Sequence, residues 1–206
     1  MKLLRIDSSA RVTSVTRKLT SAFVAAWKRE NPIGEVLERD LSAIPLPHIT
    51  DDWAATYADP GNLTDSQREY LAVSDRLIAE LTAADVIVIC APMYNLTISW
   101  ELKAWIDQVV RMDKTITYGS SGPKGLLAGK KIVVTSRGGA YSMDPAAPNF
   151  DFQEAYLRRI FGFMGLADII FIHAENQRKG GAAEAALAAA IERLERVASH
   201  TAEQLH

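Results

Sequence analysis

Five short apolar runs rich in branched side chains recur along the chain, and patterns with helical spacing lie between them. The runs span residues 2–6, 35–39, 85–91, 131–135 and 168–173. Continuous apolar runs of this length are typical of strands buried on both faces of a sheet. Buried strands that alternate with helices form parallel sheets, because right-handed crossovers place the connecting helices on both faces.

The helical patterns cover residues 14–29, 64–83, 98–109, 152–164 and 183–203, and a long irregular stretch precedes the second. Thr64 and Gln67 have the spacing of a capping box. The apolar stripe of the third helix consists of Ile98, Leu102, Trp105, Ile106 and Val109. We therefore predict an α/β fold, a flavodoxin-like three-layer sandwich. Its five-stranded parallel sheet would have the order 2-1-3-4-5, with helices on both faces.

The composition fits one domain and argues against nucleic acid or membrane partners. A chain of 206 residues, 48% of them hydrophobic, can build one full core, so we predict a single domain spanning residues 1–206. Lys and Arg total 23 and Asp and Glu total 25, which gives a formal net charge of -2. No global basic field therefore favours nucleic acid or an anionic membrane.

The protein is predicted to be cytoplasmic. The first segment, MKLLRIDSSARVTS, has too short an apolar part for a signal peptide, and no run approaches the ~18 apolar residues of a membrane span. The single cysteine, Cys90, excludes an internal disulfide and fits a reducing compartment. Because it lies in an apolar run, we expect a small buried side chain and not a reactive thiol.

Ligands of such sheets bind beyond the carboxyl ends of the strands, where the strand order reverses. The loop after the first strand, DSSARVTSVTRK, has hydroxyls beside the start of a helix, at Ser8, Ser9, Thr13, Ser14 and Thr16. The free N–H groups and positive dipole end of a helix can hold a phosphate there. Simple helix capping is the alternative, although it accounts for only one or two of the hydroxyls.

The loops after the third and fourth strands are also unusual. Met93 and Tyr94 can supply polarizable and flat contacts to a planar heterocycle, and Asn95 adds a donor and an acceptor. Alternatively, this loop faces the core and Asn95 starts the helix. In the other loop, TSRGGAYS, the glycines Gly138 and Gly139 permit close backbone approach to a ligand or, alternatively, a tight turn. All three loops would meet at one edge of the sheet, which favours a ligand.

Several rival sites lack their motifs. No G-x-G-x-x-G follows the first strand, as a dinucleotide bound in the doubly wound manner needs. Segment 119–131 has the wrong glycine-to-lysine spacing for a P-loop, precedes a strand, and is predicted to be a surface connection. The histidines are scattered without ligand spacing, so no metal site is predicted. Asp7 alone follows the first strand, which argues against a phosphoacceptor domain.

In order and spacing, the segments APMYN, LKAWID, GPKGLLAGKK, SRGGAYS and DFQEAYLRRIFGFMG resemble the FMN-dependent NADH:quinone oxidoreductase and azoreductase family. The resemblance extends from residue 4 to about residue 175. It implies non-covalent FMN, one per subunit, with the phosphate at Ser9, Ser14, Val15 and Thr16. The ring would contact Met93, Tyr94, Asn95 and Leu96 on one side and Ser136, Arg137, Gly138 and Gly139 on the other.

The resemblance also implies the chemistry and the assembly. NADH would pass hydride to the flavin and leave, and a quinone or azo compound would then accept two electrons, which is a ping-pong cycle that needs no catalytic side chain. Family members are homodimers with flavin sites near the subunit interface. They often have Phe where this chain has Leu96, which bears on substrate range. A flavodoxin-like electron carrier is the alternative function, although such carriers are usually strongly acidic.

Overall fold

A five-stranded parallel sheet forms the centre of the protein. The structure is a computed structural model that describes residues 1–58, 61–120, 122–137, 150–177 and 180–204. Its strands are β1 (Lys2–Asp7), β2 (Glu35–Asp40), β3 (Val86–Pro92), β4 (Ile116–Gly119), β5 (Gly122–Gly125), β6 (Lys131–Arg137) and β7 (Asp168–His173). Its helices are α1 (Val15–Glu30), α2 (Asp51–Ala58), α3 (Asp65–Ala83), α4 (Trp100–Val109), α5 (Phe152–Phe163) and α6 (Gly181–Gln204).

The strand order of the central sheet is β2-β1-β3-β6-β7. Counting only the strands of this sheet, the order is 2-1-3-4-5, so the prediction is confirmed. The register pairs Asp7 at the end of β1 with Asp40 on one side and Cys90 on the other. Pro92 at the end of β3 pairs with Arg137. The carboxyl ends of all five strands therefore share one edge.

Alternating side chains of the strands pack into two hydrophobic clusters, one on each face of the sheet. Leu3, Val86 and Val88 pack with residues of α1 and α6. Leu4 and Ile87 pack on the other face with residues of α3, α4 and α5. Every residue of β3 is buried, because this central strand is covered on both faces. The two clusters account for the apolar runs of the inner strands. The prediction of a buried strand at residues 35–39 is wrong in its burial, because β2 lies at the edge of the sheet and is largely exposed.

Three elements were not predicted, namely α2, β4 and β5. Helix α2 lies within the stretch expected to be irregular. The described residues of segment 119–131 lie mostly at the surface, as predicted, but the segment is more than a connection. Strand β5 pairs with β4 in an antiparallel hairpin, and Leu127 is buried in the core. A Cβ atom at Gly125 would lie 2.0 Å from the backbone nitrogen of Gly165, so the hairpin packs against the end of α5 through backbone that carries no side chain.

The helix starts follow side-chain caps. At α3 the hydroxyl of Thr64 accepts from the Gln67 amide, and the Gln67 side chain accepts from the Thr64 amide, which confirms the predicted capping box. At α4 the cap is Ser99, whose hydroxyl accepts from the Leu102 amide at 3.3 Å. Within the described part of the chain, no helix is long and apolar enough to cross a membrane.

Candidate functional site

The loops after β1 and β3 are joined by hydrogen bonds at the carboxyl edge of the sheet. The hydroxyl of Ser8 donates to the Cys90 carbonyl at 2.7 Å, and the Ser99 hydroxyl donates to the Ser8 carbonyl at 3.0 Å. The hydroxyl oxygens of Ser9 and Tyr94 lie 3.5 Å apart. The segment of residues 7–18, predicted to bind phosphate, is called the phosphate loop, and residues 93–96, predicted to contact the ring, are called the ring-binding loop. The two loops are therefore neighbours.

The start of α1 has free hydrogen-bond donors. Ser14 is its N-cap, and its hydroxyl accepts from the Arg17 amide at 3.2 Å. The amides of Val15 and Thr16 have no hydrogen-bond partner among the residues that the structure describes. The Ser14 and Thr16 hydroxyls lie 3.2 Å apart. These free N–H groups, beside two hydroxyls and the positive end of the helix dipole, suit an anion.

The five hydroxyls of this loop have different roles. Ser8, Ser9, Ser14 and Thr16 are buried, whereas Thr13 is exposed. Ser14 caps the helix, so the capping alternative is correct for that residue. The Ser8 hydroxyl donates its hydrogen bond to the Cys90 carbonyl of β3. Capping alone leaves the burial of Ser9 and Thr16 unexplained.

The loop after β3 contains a two-residue turn in an uncommon conformation. Tyr94 and Thr97 exchange two backbone hydrogen bonds, of 2.9 and 3.1 Å. Asn95 and Leu96 lie between them with φ angles of 48° and 71°. Asn tolerates this left-handed region, but Leu rarely adopts it. Such strain clusters at ligand sites, where the surrounding structure holds it in place.

The alternative that Asn95 starts the third helix is wrong. The helix begins at Trp100, after the Ser99 cap, and the turn at Asn95 is a separate element. Tyr94, Asn95 and Leu96 are thus presented on a short hairpin-like turn at the edge of the sheet. The half-buried Met93 and Tyr94 lie at its base.

Gln153, in the first turn of α5, joins β3 and β6 at this edge. Its side chain is buried, and its amide donates to the carbonyls of Ala91 at 3.2 Å and Pro92 at 3.0 Å. Its Oε1 accepts a hydrogen bond from the Ser136 hydroxyl. The Ser136 side chain is therefore engaged inside the protein. Arg137 ends β6 opposite Pro92, whereas Gly138 and Gly139 lie outside the described residues.

A bidentate ion pair near the site joins Arg17 of α1 to Asp40 at the end of β2. Two nitrogens of the guanidinium each lie 2.8 Å from an oxygen of the carboxylate. The hydrogen bond from Arg17 holds the pKa of the Asp40 carboxyl well below its ordinary value. The same bond raises the pKa of Arg17. Both groups are therefore charged across the physiological range.

Cys90 lies beneath the start of α1. Its side chain is fully buried, which confirms the predicted environment, and its thiol donates to the Thr16 hydroxyl at 3.1 Å. Burial raises the pKa of this thiol to about 11. Burial outweighs the nearby helix start and Arg17, so Cys90 is a neutral packing residue of the site and not an activated nucleophile.

Comparisons with known proteins show the family to which this chain belongs. A family profile described as flavodoxin-like fold matches residues 1–198. An FMN-dependent NADH:quinone oxidoreductase of Trichormus variabilis is 44% identical over 96% of this chain and 95% of its own. The enzyme of that name from Azospirillum brasilense is also 44% identical, over 96% and 98% of the two chains. This chain belongs to the FMN-dependent NADH:quinone oxidoreductase family.

A solved structure agrees with that assignment. The crystal structure of an azoreductase from Bacillus anthracis strain Sterne is 30% identical to this chain, with a TM-score of 0.90. The match covers 97% of this chain and 99% of the azoreductase. The resemblance read from the APMYN and SRGGAYS segments is confirmed at the level of the family.

Sequence reasoning missed three residues that shape the site of this NADH:quinone oxidoreductase family member. Gln153 occupies the buried stripe of α5 together with Leu157 and Phe161, so a polar residue at a core position was the available signal. Arg17 and Asp40 are far apart in sequence, and nothing local marks them as a pair. Among the residues described, no group of three or more His, Cys, Asp or Glu could hold a metal ion.

Proposed function

We propose that this chain is an FMN-dependent oxidoreductase that uses NADH to reduce quinones to hydroquinones and to cleave aromatic azo compounds. The names of the relatives that match nearly the whole chain support this function. One structural observation carries it. The free N-terminus of α1 and the strained turn at Asn95 and Leu96 lie side by side where the strand order reverses.

The residues at the start of α1 fit the phosphate of FMN. The amides of Val15 and Thr16 offer donors without a partner among the described residues, and the hydroxyls of Ser9, Ser14 and Thr16 are close by. The positive end of the helix dipole favours a doubly charged group. No lysine is needed in such a site.

The strained turn fits the edge of a flat ring. We propose that Met93, Tyr94, Asn95 and Leu96 contact one side of the flavin, and that Ser136, Arg137, Gly138 and Gly139 lie along the other. Asn95 and Leu96 are consecutive and both have positive φ. In this conformation the turn presents its backbone groups together with its side chains. Gln153 stabilises the ends of β3 and β6 from which both segments extend.

The bound FMN would supply the redox chemistry, which is hydride acceptance from NADH followed by two-electron reduction of the acceptor. The chain itself binds and orients the cofactor, so we assign no catalytic side chain. Backbone amides after β6, at Gly138 and Gly139, would stabilise negative charge at the ring edge. NADH and the acceptor would use the same open face in turn.

We further propose a homodimer in the cytoplasm, built from one domain per chain. Large apolar side chains around the site are exposed and would be covered by a second copy. They are Val12 (85% exposed), Trp100 (52%) and Phe152 (58%). Light scattering at micromolar concentration should give the mass of a dimer, and a fully active monomer would contradict the proposal.

The proposed activity is tested by steady-state kinetics with FMN, NADH and either a benzoquinone or an azo dye. We expect NADH oxidation that depends on added FMN, with parallel lines in double-reciprocal plots because the two substrates alternate at one site. The electron-carrier alternative predicts that FMN binds but that NADH is not consumed. A protein that binds no FMN would contradict both functions.

A further inference from the structure

The guanidinium of Arg17 is shared between the predicted phosphate loop and the end of β2. Nε and Nη2 donate to the Ser9 carbonyl at 3.2 and 2.9 Å. Nη1 and Nη2 each donate to Asp40 at 2.8 Å, and Nη2 also donates to the Ser42 hydroxyl at 2.8 Å. Arg17 therefore connects two loops that belong to different strands.

These contacts leave Arg17 little capacity to bind a ligand directly. An arginine has five N–H donors, and here both terminal nitrogens and Nε are engaged by protein oxygens. Nη1 also lies 3.4 Å from the Asp7 carboxylate. The side chain is only 11% exposed. Its contribution to phosphate binding must therefore act through the Ser9 backbone.

Arg17 is also one of two arginines, with Arg5, that face the carboxylates of Asp7, Glu38 and Asp40. Asp7 and Asp40 are register partners at the ends of β1 and β2, close to the loop that would receive a phosphate. Arg17 forms ion pairs with both. The Nε atom of Arg5 also lies 2.9 Å from the Asp7 carboxylate. This second contact is an ion pair without the geometry of a hydrogen bond. Without Arg17, Asp7 would keep Arg5 as its ion-pair partner, whereas Asp40 would have none among the described residues.

Asp40 is itself held in place. Its Oδ1 accepts from the Ser42 amide at 3.0 Å and from the Ser42 hydroxyl at 2.8 Å. The carboxylate is thus fixed by the turn that follows β2, and it fixes Arg17 in turn. Arg17 cannot swing toward a ligand without breaking a paired, charge-assisted contact.

We propose that Arg17 and Asp40 are positioning residues that make the site selective for a phosphorylated flavin, FMN, over riboflavin. This inference rests on the proposed function. The Arg17–Asp40 ion pair fixes the position of Ser9 and the approach to the free amides of Val15 and Thr16. A ligand that carries a phosphate benefits most from that order, because riboflavin ends in a neutral hydroxyl at the same place.

The test compares the dissociation constants of FMN and riboflavin, measured by quenching of flavin fluorescence, in four proteins. Asp40→Asn is the main variant, because it keeps the shape of the side chain and its site is partly exposed. Arg17→Lys keeps the charge and loses the fork of donors. Arg29→Gln is the matched control, since it removes an exposed ion pair with Glu195 from the far end of α1.

We expect the wild type and Arg29→Gln to prefer FMN strongly. In Asp40→Asn and Arg17→Lys the ratio of the two constants should fall by about tenfold or more, while riboflavin binding changes little. General loosening of the fold would weaken both flavins equally and leave the ratio intact, which would overturn the inference. A wild type that binds neither flavin would overturn the proposed function itself. Circular dichroism checks that each variant folds. If Arg17→Lys does not fold, the result for Asp40→Asn alone decides the test.

Discussion

The side-chain amide of Gln153 donates a hydrogen bond of 3.0 Å to the backbone carbonyl of Pro92. Pro92 is the last residue of β3, and the strained turn begins two residues later. The backbone amide of Phe152, the neighbour of Gln153, donates to the Leu96 carbonyl inside that turn at 3.1 Å. The first turn of α5 therefore fixes both ends of the ring-binding loop.

Replacement of Gln153 by Leu should destabilise the protein and weaken FMN binding. The change keeps the size of the side chain but leaves the Ser136 hydroxyl and the carbonyls of Ala91 and Pro92 without their buried partner. We expect the free energy of unfolding to fall by about 1–3 kcal/mol in urea denaturation. Arg159→Gln, an exposed change on the same helix, is the control. Equal stability in the two variants would show that the Gln153 bonds contribute nothing.

The strands could be predicted from the sequence because the apolar run of β3 is unbroken and most side chains of β1 and β6 are buried in the two clusters. Their alternation with helices predicted the order. The hairpin of β4 and β5 could not, because it packs against α5 through the backbone of Gly125 and leaves no apolar pattern. The strained backbone at Leu96 also could not be predicted from the sequence. Leucine has no preference for positive φ, so only the surrounding structure reveals it.

Leu96 should influence which acceptors are reduced. Its carbonyl accepts a hydrogen bond from the Phe152 amide, and its side chain is half-buried within the ring-binding loop. Phe at this position would add a face for stacking, so Leu96→Phe should improve azo dye reduction more than benzoquinone reduction. We expect the quinone-to-azo ratio of kcat/KM to be higher in the wild type by up to about tenfold.

The control for that comparison is Ile33→Phe. Ile33 is 98% exposed and precedes β2, at the opposite edge of the sheet, so an aromatic ring there should not change the ratio. The same ratio in the wild type and in Leu96→Phe would mean that Leu96 has no part in acceptor choice.

The ion pair of Asp40 with Arg17 should make stability depend on acid pH. Because the folded-state pKa of Asp40 is lowered, its contribution is fully present above the unfolded carboxyl value of about 3.9 and is lost as the pH falls below it. We expect the difference in unfolding free energy between the wild type and Asp40→Asn to be constant from about pH 7 to pH 5. It should shrink below about pH 4. A difference that grows in acid would contradict the assignment of the pair.

Cys90 should resist thiol reagents as long as the protein is folded. The side chain is fully buried and its pKa is raised to about 11, so almost no thiolate forms at about pH 8. A colorimetric thiol titration should detect no cysteine in the native protein and the single cysteine after denaturation. Rapid reaction of the native protein would mean that the base of the phosphate loop opens to solvent.

The most direct test of the proposed function is the visible absorption spectrum of the protein loaded with FMN, recorded without oxygen. A stoichiometric amount of NADH should bleach the flavin bands, and a benzoquinone added afterwards should restore them. Each half of the cycle is then seen separately, as a ping-pong reductase requires. Flavin bands that persist after NADH addition would contradict the account.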